Sequence, residues 1–199
     1  MVRQLSRLGY LEPHRTLFLL CDIQEKFRPA MKYFEPMVKN TNKLLNAGKT
    51  LKIPLIATEQ YPEKLGRLVK ELDVSHACGV FPKTQFSMAL PEIMSKINEM
   101  GKLESIVLFG LETHVCVEQT AADFVSHGFN VHVVADCCAS RLIEDRNLAF
   151  DRLRKIGCYI TTSETVIFKL LRDKNHPAFN EIRKLVSEPS ADVGLLAKL

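Results

Sequence analysis

The chain alternates short apolar runs with segments of helical spacing, and this alternation constrains its fold more than any other feature. Examples are TLFLLC at residues 16–21, SIVLF at 105–109 and VHVVA at 131–135. These runs are too continuously apolar for strands that keep one face in water. They are typical of central strands in a parallel sheet that helices cover on both faces.

Further strands and helices complete the pattern. Additional strands are predicted at residues 53–58, near 80–81 and at 159–161, and helices at 36–48, 91–101, 116–127 and 148–156. We therefore predict one domain, residues 1–199, of the α/β class: a three-layer α-β-α structure with a six-stranded, mostly parallel, doubly wound (Rossmann-like) sheet. Residues 59–79 have no clean period and predict an irregular excursion. The two ends, residues 1–13 and 189–199, are expected to be flexible.

Three reactive side chains follow predicted strands. Asp22 comes directly after the first strand, Lys83 after the strand near residues 80–81, and Cys116 after the strand at 105–109. Because parallel strands end at one edge of the sheet, we expect these side chains to meet there. A lysine beside a carboxylate and a thiol lowers the thiol pKa, and the carboxylate can carry the thiol proton to a leaving nitrogen.

The position of Cys116 at a strand-to-helix turn adds a second reason for reactivity. Unpaired N–H groups at a helix start carry partial positive charge, which favours a thiolate and can bind an oxyanion. Taken singly, each residue also has an ordinary interpretation. Cys116 alone fits an inert buried cysteine, Asp22 a turn or cap residue, and Lys83 a solvated surface lysine.

Three ordered blocks resemble the signature motifs of the isochorismatase-like cysteine hydrolase family. They are LCDIQEKF at residues 20–27, FPKTQFS at 81–87 and GLETHVCV at 110–117. The resemblance runs from about residue 14 to residue 171. TEQYP at 58–62 and SETVIF at 163–168 are most similar to the eukaryotic isochorismatase domain-containing proteins.

The resemblance implies a role for each motif residue. Cys116 would be the nucleophile, Asp22 the general base and then acid, and Lys83 the cation that stabilises the thiolate. Family members carry a non-proline cis peptide bond that matches Leu111–Glu112 here. By the same analogy, the backbone N–H groups of Glu112 and Cys116 would face the substrate carbonyl oxygen.

Residues beside the motifs and strand ends are candidates for the wall of a substrate pocket, although each also fits ordinary packing. They are Phe27, Glu59, Tyr61, Phe86, His114 and Val115. Histidines commonly activate thiols, but the family uses Asp and Lys, so we do not expect His114 to be the base. Asp136, after another strand, is interpreted as a turn and cap residue.

One departure from a family branch bears on metal binding. Nicotinamidases carry an Asp and paired His residues after the second strand that bind a zinc-type metal. Here EQYPE at residues 59–63 contains no His, and His76 alone cannot form such a site. We therefore expect no metal and no other cofactor. Isochorismatase proper cleaves a vinyl ether without this cysteine, so Cys116 favours hydrolysis of a C–N bond.

The main hypothesis is a metal-independent cysteine hydrolase that acts on a small amide or carbamoyl-type compound through a thioester. One alternative is a weakly active or inactive pocket that serves as a binding module. Another is a nucleic-acid enzyme, which the net charge of +4 disfavours because 27 basic residues are scattered among 23 acidic ones. Family members commonly self-associate, so a homo-oligomer is expected.

Composition predicts where the protein resides. With 46% hydrophobic and 25% charged residues, and no apolar stretch near the length of a membrane span, the chain is typical of a soluble protein without a membrane partner. Its six cysteines lack C-x-x-C spacing and predict reduced thiols, hence a cytoplasmic location. The C-terminal tripeptide Ala197-Lys198-Leu199 is close to a peroxisomal Ser-Lys-Leu signal and indicates a second location.

Overall fold

The computed structural model of the protein describes residues 8–195 and shows a six-stranded sheet flanked by seven α-helices. The strands are β1 Thr16–Cys21, β2 Leu55–Gln60, β3 Ala77–Lys83, β4 Ser105–Leu111, β5 Asn130–Ala139 and β6 Tyr159–Thr161. The helices are α1 Phe34–Thr50, α2 Pro62–Leu65, α3 Pro91–Glu99, α4 Glu118–Ser126, α5 Ile143–Lys155, α6 Ser163–Leu171 and α7 Phe179–Val186.

The sheet confirms the predicted fold class. All five neighbouring strand pairs are parallel, in the order β3-β2-β1-β4-β5-β6. The chain builds the sheet outward from β1 to β3 and then returns to add β4 on the other side of β1. The edge beyond the carboxyl ends of β1 and β4 is therefore the topological switch point, where open α/β sheets bind their ligands.

Buried apolar side chains explain why β1 and β4 occupy the centre. Every residue of both strands is buried. Phe18 on β1 and Phe109 on β4 pack edge to face, with ring centroids 5.8 Å apart. Burial of one such side chain stabilises the fold by about 1.5–3 kcal/mol, so these strands hold the two halves of the sheet together.

Several elements differ from the sequence prediction. Helix α1 begins two residues before Pro36, and β3 and β5 are longer than the apolar runs that marked them. The exposure of β3 alternates along the strand because it lies at the edge of the sheet. Its pattern therefore lacks the continuous apolar run that identifies central strands. Helices α6 and α7 were not predicted.

The C-terminal segment packs against the domain where the sequence predicts a loose end. Lys43 donates a hydrogen bond to the Glu188 carbonyl oxygen at 2.6 Å, and the Ala191 amide donates to Asn40 Oδ1 at 2.8 Å. The side chain of Val193 is buried. The tripeptide at residues 197–199 lies outside the described residues. No helix within residues 8–195 is both long and apolar enough to cross a membrane.

Gly110 allows β4 to approach β1 closely at the functional edge. It pairs with Cys21 in the parallel ladder. Its φ is +132°, a backbone conformation that residues with a side chain rarely adopt. A Cβ atom added to Gly110 would lie 1.9 Å from the Cys21 carbonyl oxygen. A side chain at this position would therefore force the two central strands apart.

Substitution Gly110→Ala is expected to lower the free energy of unfolding by about 3–5 kcal/mol, from steric overlap and positive-φ strain together. Gly128→Ala is the matched control, because its φ is +86° but no atom lies within 4 Å of an added Cβ. The control should lose about 1–2 kcal/mol from strain alone. Urea unfolding measures both values, and equal losses would contradict the steric argument.

Candidate active site

Asp22 follows β1 and is the centre of a buried polar cluster. Its φ of 51° is left-handed, and its side chain is fully buried. Thr58 Oγ1 donates to Asp22 Oδ1 at 2.8 Å, and Lys83 Nζ lies 2.6 Å from Asp22 Oδ2. Both oxygens of the carboxylate therefore have partners. A buried carboxylate requires such partners because water cannot solvate it.

Lys83, the last residue of β3, is held by acceptors on several sides. Its Nζ donates to Gln60 Oε1 at 2.6 Å and to the Phe86 carbonyl oxygen at 2.8 Å, in addition to the ion pair with Asp22. These three short contacts use the three donors of an ammonium group. Lys83 is therefore a fixed cation at the edge of the sheet.

The surroundings of Lys83 keep it charged. Burial disfavours the ammonium form, but the acidic groups of Cys21, Asp22 and Cys116 outweigh this effect, so the pKa of Lys83 is raised above its ordinary value. A proton on Lys83 is thus hard to remove at neutral pH. The residue can stabilise a neighbouring negative charge throughout a reaction.

Cys116 lies in a π-helical turn, Thr113–Val117, which joins β4 to α4. The predicted helix therefore begins three residues before Cys116. The Cys116 carbonyl oxygen accepts a hydrogen bond of 2.6 Å from Thr120 Oγ1, and the thiol-bearing residue is only 6% exposed. Such π turns occur often at functional sites because they project one residue out of the regular helix.

The peptide bond between Leu111 and Glu112 is cis, at the position that the sequence resemblance implies. The side chain of Glu112 has a structural contact: its Oε2 accepts a hydrogen bond of 3.2 Å from the Arg141 amide. Because the carboxylate is engaged in this contact, the backbone N–H of Glu112 is the candidate group for substrate binding.

The Cys116 thiol, the Asp22 carboxylate and a second thiol form one cluster. The sulfur atoms of Cys21 and Cys116 and a carboxylate oxygen of Asp22 all lie within 4.8 Å of one another. Cys21 Sγ donates to Asp22 Oδ2 at 3.5 Å. Burial, the contact with Cys116 and the charge of Asp22 raise the pKa of Cys21 well above its ordinary value. Cys21 is therefore a neutral thiol beside Cys116, and sequence analysis missed it.

Two thiols and a carboxylate at this spacing could also be considered as metal ligands. Thiols bind metals as thiolates, however, and the environment of Cys21 favours its protonated form. The Asp22 carboxylate is also already paired with the Lys83 ammonium at 2.6 Å, which would repel a second cation. The cluster therefore fits proton transfer better than metal binding.

Glu59, predicted as a pocket residue, instead contacts the excursion that follows β2. Its Oε1 accepts from the Leu68 amide at 2.9 Å, and its Oε2 pairs with Arg67 at 2.7 Å.

Gln24 holds Gln60 in place through two hydrogen bonds. Gln24 Nε2 donates to the Gln60 carbonyl oxygen at 3.0 Å, and the Gln60 amide donates back to Gln24 Oε1 at 2.7 Å. These bonds fix the residue that holds Lys83.

The other predicted wall residues occupy different environments. Tyr61 and Phe86 have exposed side chains, whereas Phe27 and Val115 are half-buried and pack against the core. Tyr61 lines a cavity of about 420 Å³ that also includes Lys83 and Gln85. This cavity lies beside the cluster on its β3 side, and neither Asp22 nor Cys116 lines it.

His114 and Asp136 have contacts away from the thiol. His114 Nδ1 lies 2.9 Å from Ser140 Oγ, and its Nε2 lies 3.9 Å from the Asp145 carboxylate. Asp136 accepts hydrogen bonds from the amide and hydroxyl of Ser163, at 2.7 and 2.6 Å, at the start of α6. Asp136 is therefore not the turn residue that the sequence predicts, because it lies inside β5 and its carboxylate holds the first residue of a helix from a later part of the chain.

Comparison with known proteins identifies the family. The sequence model of the isochorismatase domain family matches residues 16–165 of this chain. The chain belongs to the isochorismatase family. Isochorismatase domain-containing protein 1 of Danio rerio is 46% identical over 195 residues, covering 98% of this chain and 69% of its own length. Isochorismatase domain-containing protein 2 of Xenopus laevis is 43% identical over 193 residues, covering 97% and 94% respectively.

Solved structures share the fold. A Caenorhabditis elegans structure described as MAR1 ribonuclease has a TM-score of 0.89 and 39% identity, covering 96% of this chain and all of that one. The Escherichia coli YcaC gene product, described as an octameric hydrolase of unknown specificity, has a TM-score of 0.77 and 22% identity, covering 89% and 95%. The second comparison shows the fold alone.

Substitution Lys83→Met tests the buried ion pair. Removal of the ammonium leaves the Asp22 carboxylate buried without a cation, so the free energy of unfolding should fall by about 3–5 kcal/mol. Lys96→Met is the control, because Lys96 pairs with Glu99 on the surface at 3.2 Å and should leave stability nearly unchanged. Equal losses in denaturant unfolding would show that the pair does not organise this edge.

Proposed function

We propose that this protein is a metal-independent cysteine hydrolase that cleaves the C–N bond of a small amide or carbamoyl-type compound. The observation that carries the proposal is the position of Asp22. Its carboxylate is paired with a buried ammonium group at 2.6 Å, and one of its oxygens lies within 4.8 Å of Cys116 Sγ. A nucleophile, a proton acceptor and a fixed cation are therefore adjacent at the switch point of the sheet.

The first half-reaction forms a thioester. Cys116 Sγ attacks the substrate carbonyl carbon while Asp22 accepts the thiol proton. The backbone N–H groups of Glu112 and Cys116 donate to the carbonyl oxygen as negative charge develops there. Asp22 then returns the proton to the nitrogen, the C–N bond breaks, and ammonia or an amine leaves.

The second half-reaction releases the acid. Water attacks the thioester carbonyl and gives a proton to Asp22, the C–S bond breaks, and the proton returns to Cys116. Lys83 does not exchange a proton in this scheme. Its raised pKa and its three acceptors keep it as a positive charge beside the sulfur, which stabilises the thiolate each time it forms.

A Cys116→Ala variant tests the nucleophile. Against a panel of small amides and carbamoyl compounds, it should reduce turnover of every hydrolysed compound at least about 10³-fold, because no thioester can form. Intact mass spectrometry of the wild type, quenched during turnover, should show the acyl adduct. Cys78→Ala removes an exposed thiol and is the matched control. Undiminished turnover in Cys116→Ala would contradict the proposal.

A ribonuclease is the second candidate, because the C. elegans structure described as MAR1 ribonuclease is 39% identical to this chain. The same variants separate the two candidates. RNA cleavage that persists in Cys116→Ala and declines steeply with salt would favour a nucleic-acid enzyme. A pocket that binds small amides but never turns them over would instead favour the binding module.

Assembly and location extend the proposal. We propose self-association, in keeping with the octameric description of YcaC, which shares the fold. A cytoplasmic location stays a prediction from the sequence. The alternative is import into a peroxisome-type organelle through the C-terminal tripeptide.

A further inference from the structure

We propose that Cys21 is a resolving thiol for the nucleophile: once Cys116 is oxidised, Cys21 captures it as a Cys21–Cys116 disulfide, which reversibly blocks the site. The inference deepens the proposed function, because it rests on Cys116 being the reactive thiol. It assigns a modification site to a residue that the hydrolytic scheme does not use.

The positions of the two thiols carry the inference. Their sulfur atoms lie within 4.8 Å of each other, and a disulfide requires ~2.05 Å. Cys21 is the last residue of β1 and pairs with Gly110 in β4, and Cys116 follows in the turn after β4. Cys21 thus ends β1 and Cys116 lies in the π-helical turn that follows the neighbouring strand β4, and rotation of the two side chains is the motion proposed to close the gap.

The surroundings of Cys21 supply what a resolving thiol needs. Cys21 Sγ donates to Asp22 Oδ2 at 3.5 Å, so its thiol stays protonated at rest, and a proton acceptor is in place for the step in which Cys21 attacks. A cysteine buried only for packing needs no such acceptor, since it behaves as a small apolar side chain. Asp22 thus lies beside both sulfurs and can move a proton from one to the other.

The chemistry balances with a hydroperoxide as oxidant. The Cys116 thiolate attacks one peroxide oxygen: the S–O bond forms, the O–O bond breaks, and the alcohol or water leaves with a proton. Sulfur loses two electrons and the peroxide gains them, which yields a sulfenic acid. Cys21 then gives its proton to Asp22 and attacks Cys116 Sγ. The S–S bond forms, the S–O bond breaks, and hydroxide leaves as water with the proton from Asp22.

Electrostatics favour a disulfide over other products at this site. A disulfide is neutral, so the buried pair of Asp22 and Lys83 keeps its contacts. A sulfinate on Cys116 would instead add a buried anion that competes with Asp22 for the single ammonium group. The disulfide also consumes the nucleophile, so hydrolysis stops until a dithiol reductant restores both thiols by exchange.

The test uses the folded wild-type chain, treated with hydrogen peroxide and digested without reductant. Mass spectrometry should find one linked peptide pair, Cys21 with Cys116, with a loss of about 2 Da. Activity should fall in step with this species and return with dithiothreitol. Cys78→Ala is the matched control and should form the same linked pair.

A Cys21→Ala variant gives the converse result. Without the resolving thiol, Cys116 should proceed to sulfinic acid, a gain of about 32 Da, and dithiothreitol should no longer restore activity. Thermal unfolding shows whether the variant is folded. If it is not, the peptide map of the wild type decides alone.

The failures of the two proposals are distinguishable. If the wild type forms sulfinic acid at Cys116 while Cys21 stays a free thiol, the disulfide inference is wrong and the proposed nucleophile stands. If Cys116 stays reduced while other thiols oxidise, both proposals are wrong. Linkage of either thiol to another cysteine also overturns the inference.

Discussion

The buried ion pair between Asp22 and Lys83 is the interaction on which the rest of this site depends. Both side chains are fully buried, and their charged atoms lie 2.6 Å apart. Two charges withdrawn from water are tolerated only where further hydrogen bonds satisfy them, and Thr58, Gln60 and the Phe86 carbonyl oxygen do so here. The pair also joins the ends of β1 and β3 across β2. The geometry of the site therefore depends on the order of these strands in the sheet.

This arrangement determines how charge and protons are divided at the cluster. Lys83 is saturated with acceptors and keeps its proton, whereas Asp22 lies beside both sulfur atoms and is the group that exchanges a proton in the proposed scheme. A fixed cation beside a mobile proton suits a thiol nucleophile whose thiolate forms and disappears in each half-reaction. The same carboxylate lies beside Cys21, and for that reason one group serves both the proposed hydrolysis and the proposed oxidation switch.

Much of this account could be predicted from the sequence, for identifiable reasons. Central strands of a parallel sheet are continuously apolar, so the apolar runs identify β1 and β4 in the sequence. Asp22 and Cys116 could then be placed at the functional edge because they follow these two strands. The edge strand β3 alternates in exposure and contains Pro82, so only its middle, near residues 80–81, was predicted. Helix α6 was missed although Thr162 accepts a hydrogen bond from the Thr165 amide, a cap whose signal, TSET at residues 162–165, is present in the chain.

The partners within the site were not predictable, because they depend on side-chain direction. In a strand, successive side chains point to opposite faces, which would separate Cys21 from Asp22. The left-handed φ of 51° at Asp22 breaks this alternation, and both side chains enter one cluster. The roles of Thr58 and Gln60 likewise follow from the register between β1, β2 and β3, which sequence pattern does not specify.

The most direct test of the central claim, that the buried pair activates Cys116, is the rate at which each of the six thiols reacts with a limiting dose of iodoacetamide, read by peptide mass spectrometry. Cys116 is only 6% exposed, whereas Cys78 is exposed. The account predicts that Cys116 reacts at least about ten times faster than Cys78, because the proton acceptor and the fixed cation beside Cys116 outweigh its poorer access. Faster reaction of Cys78 would contradict it.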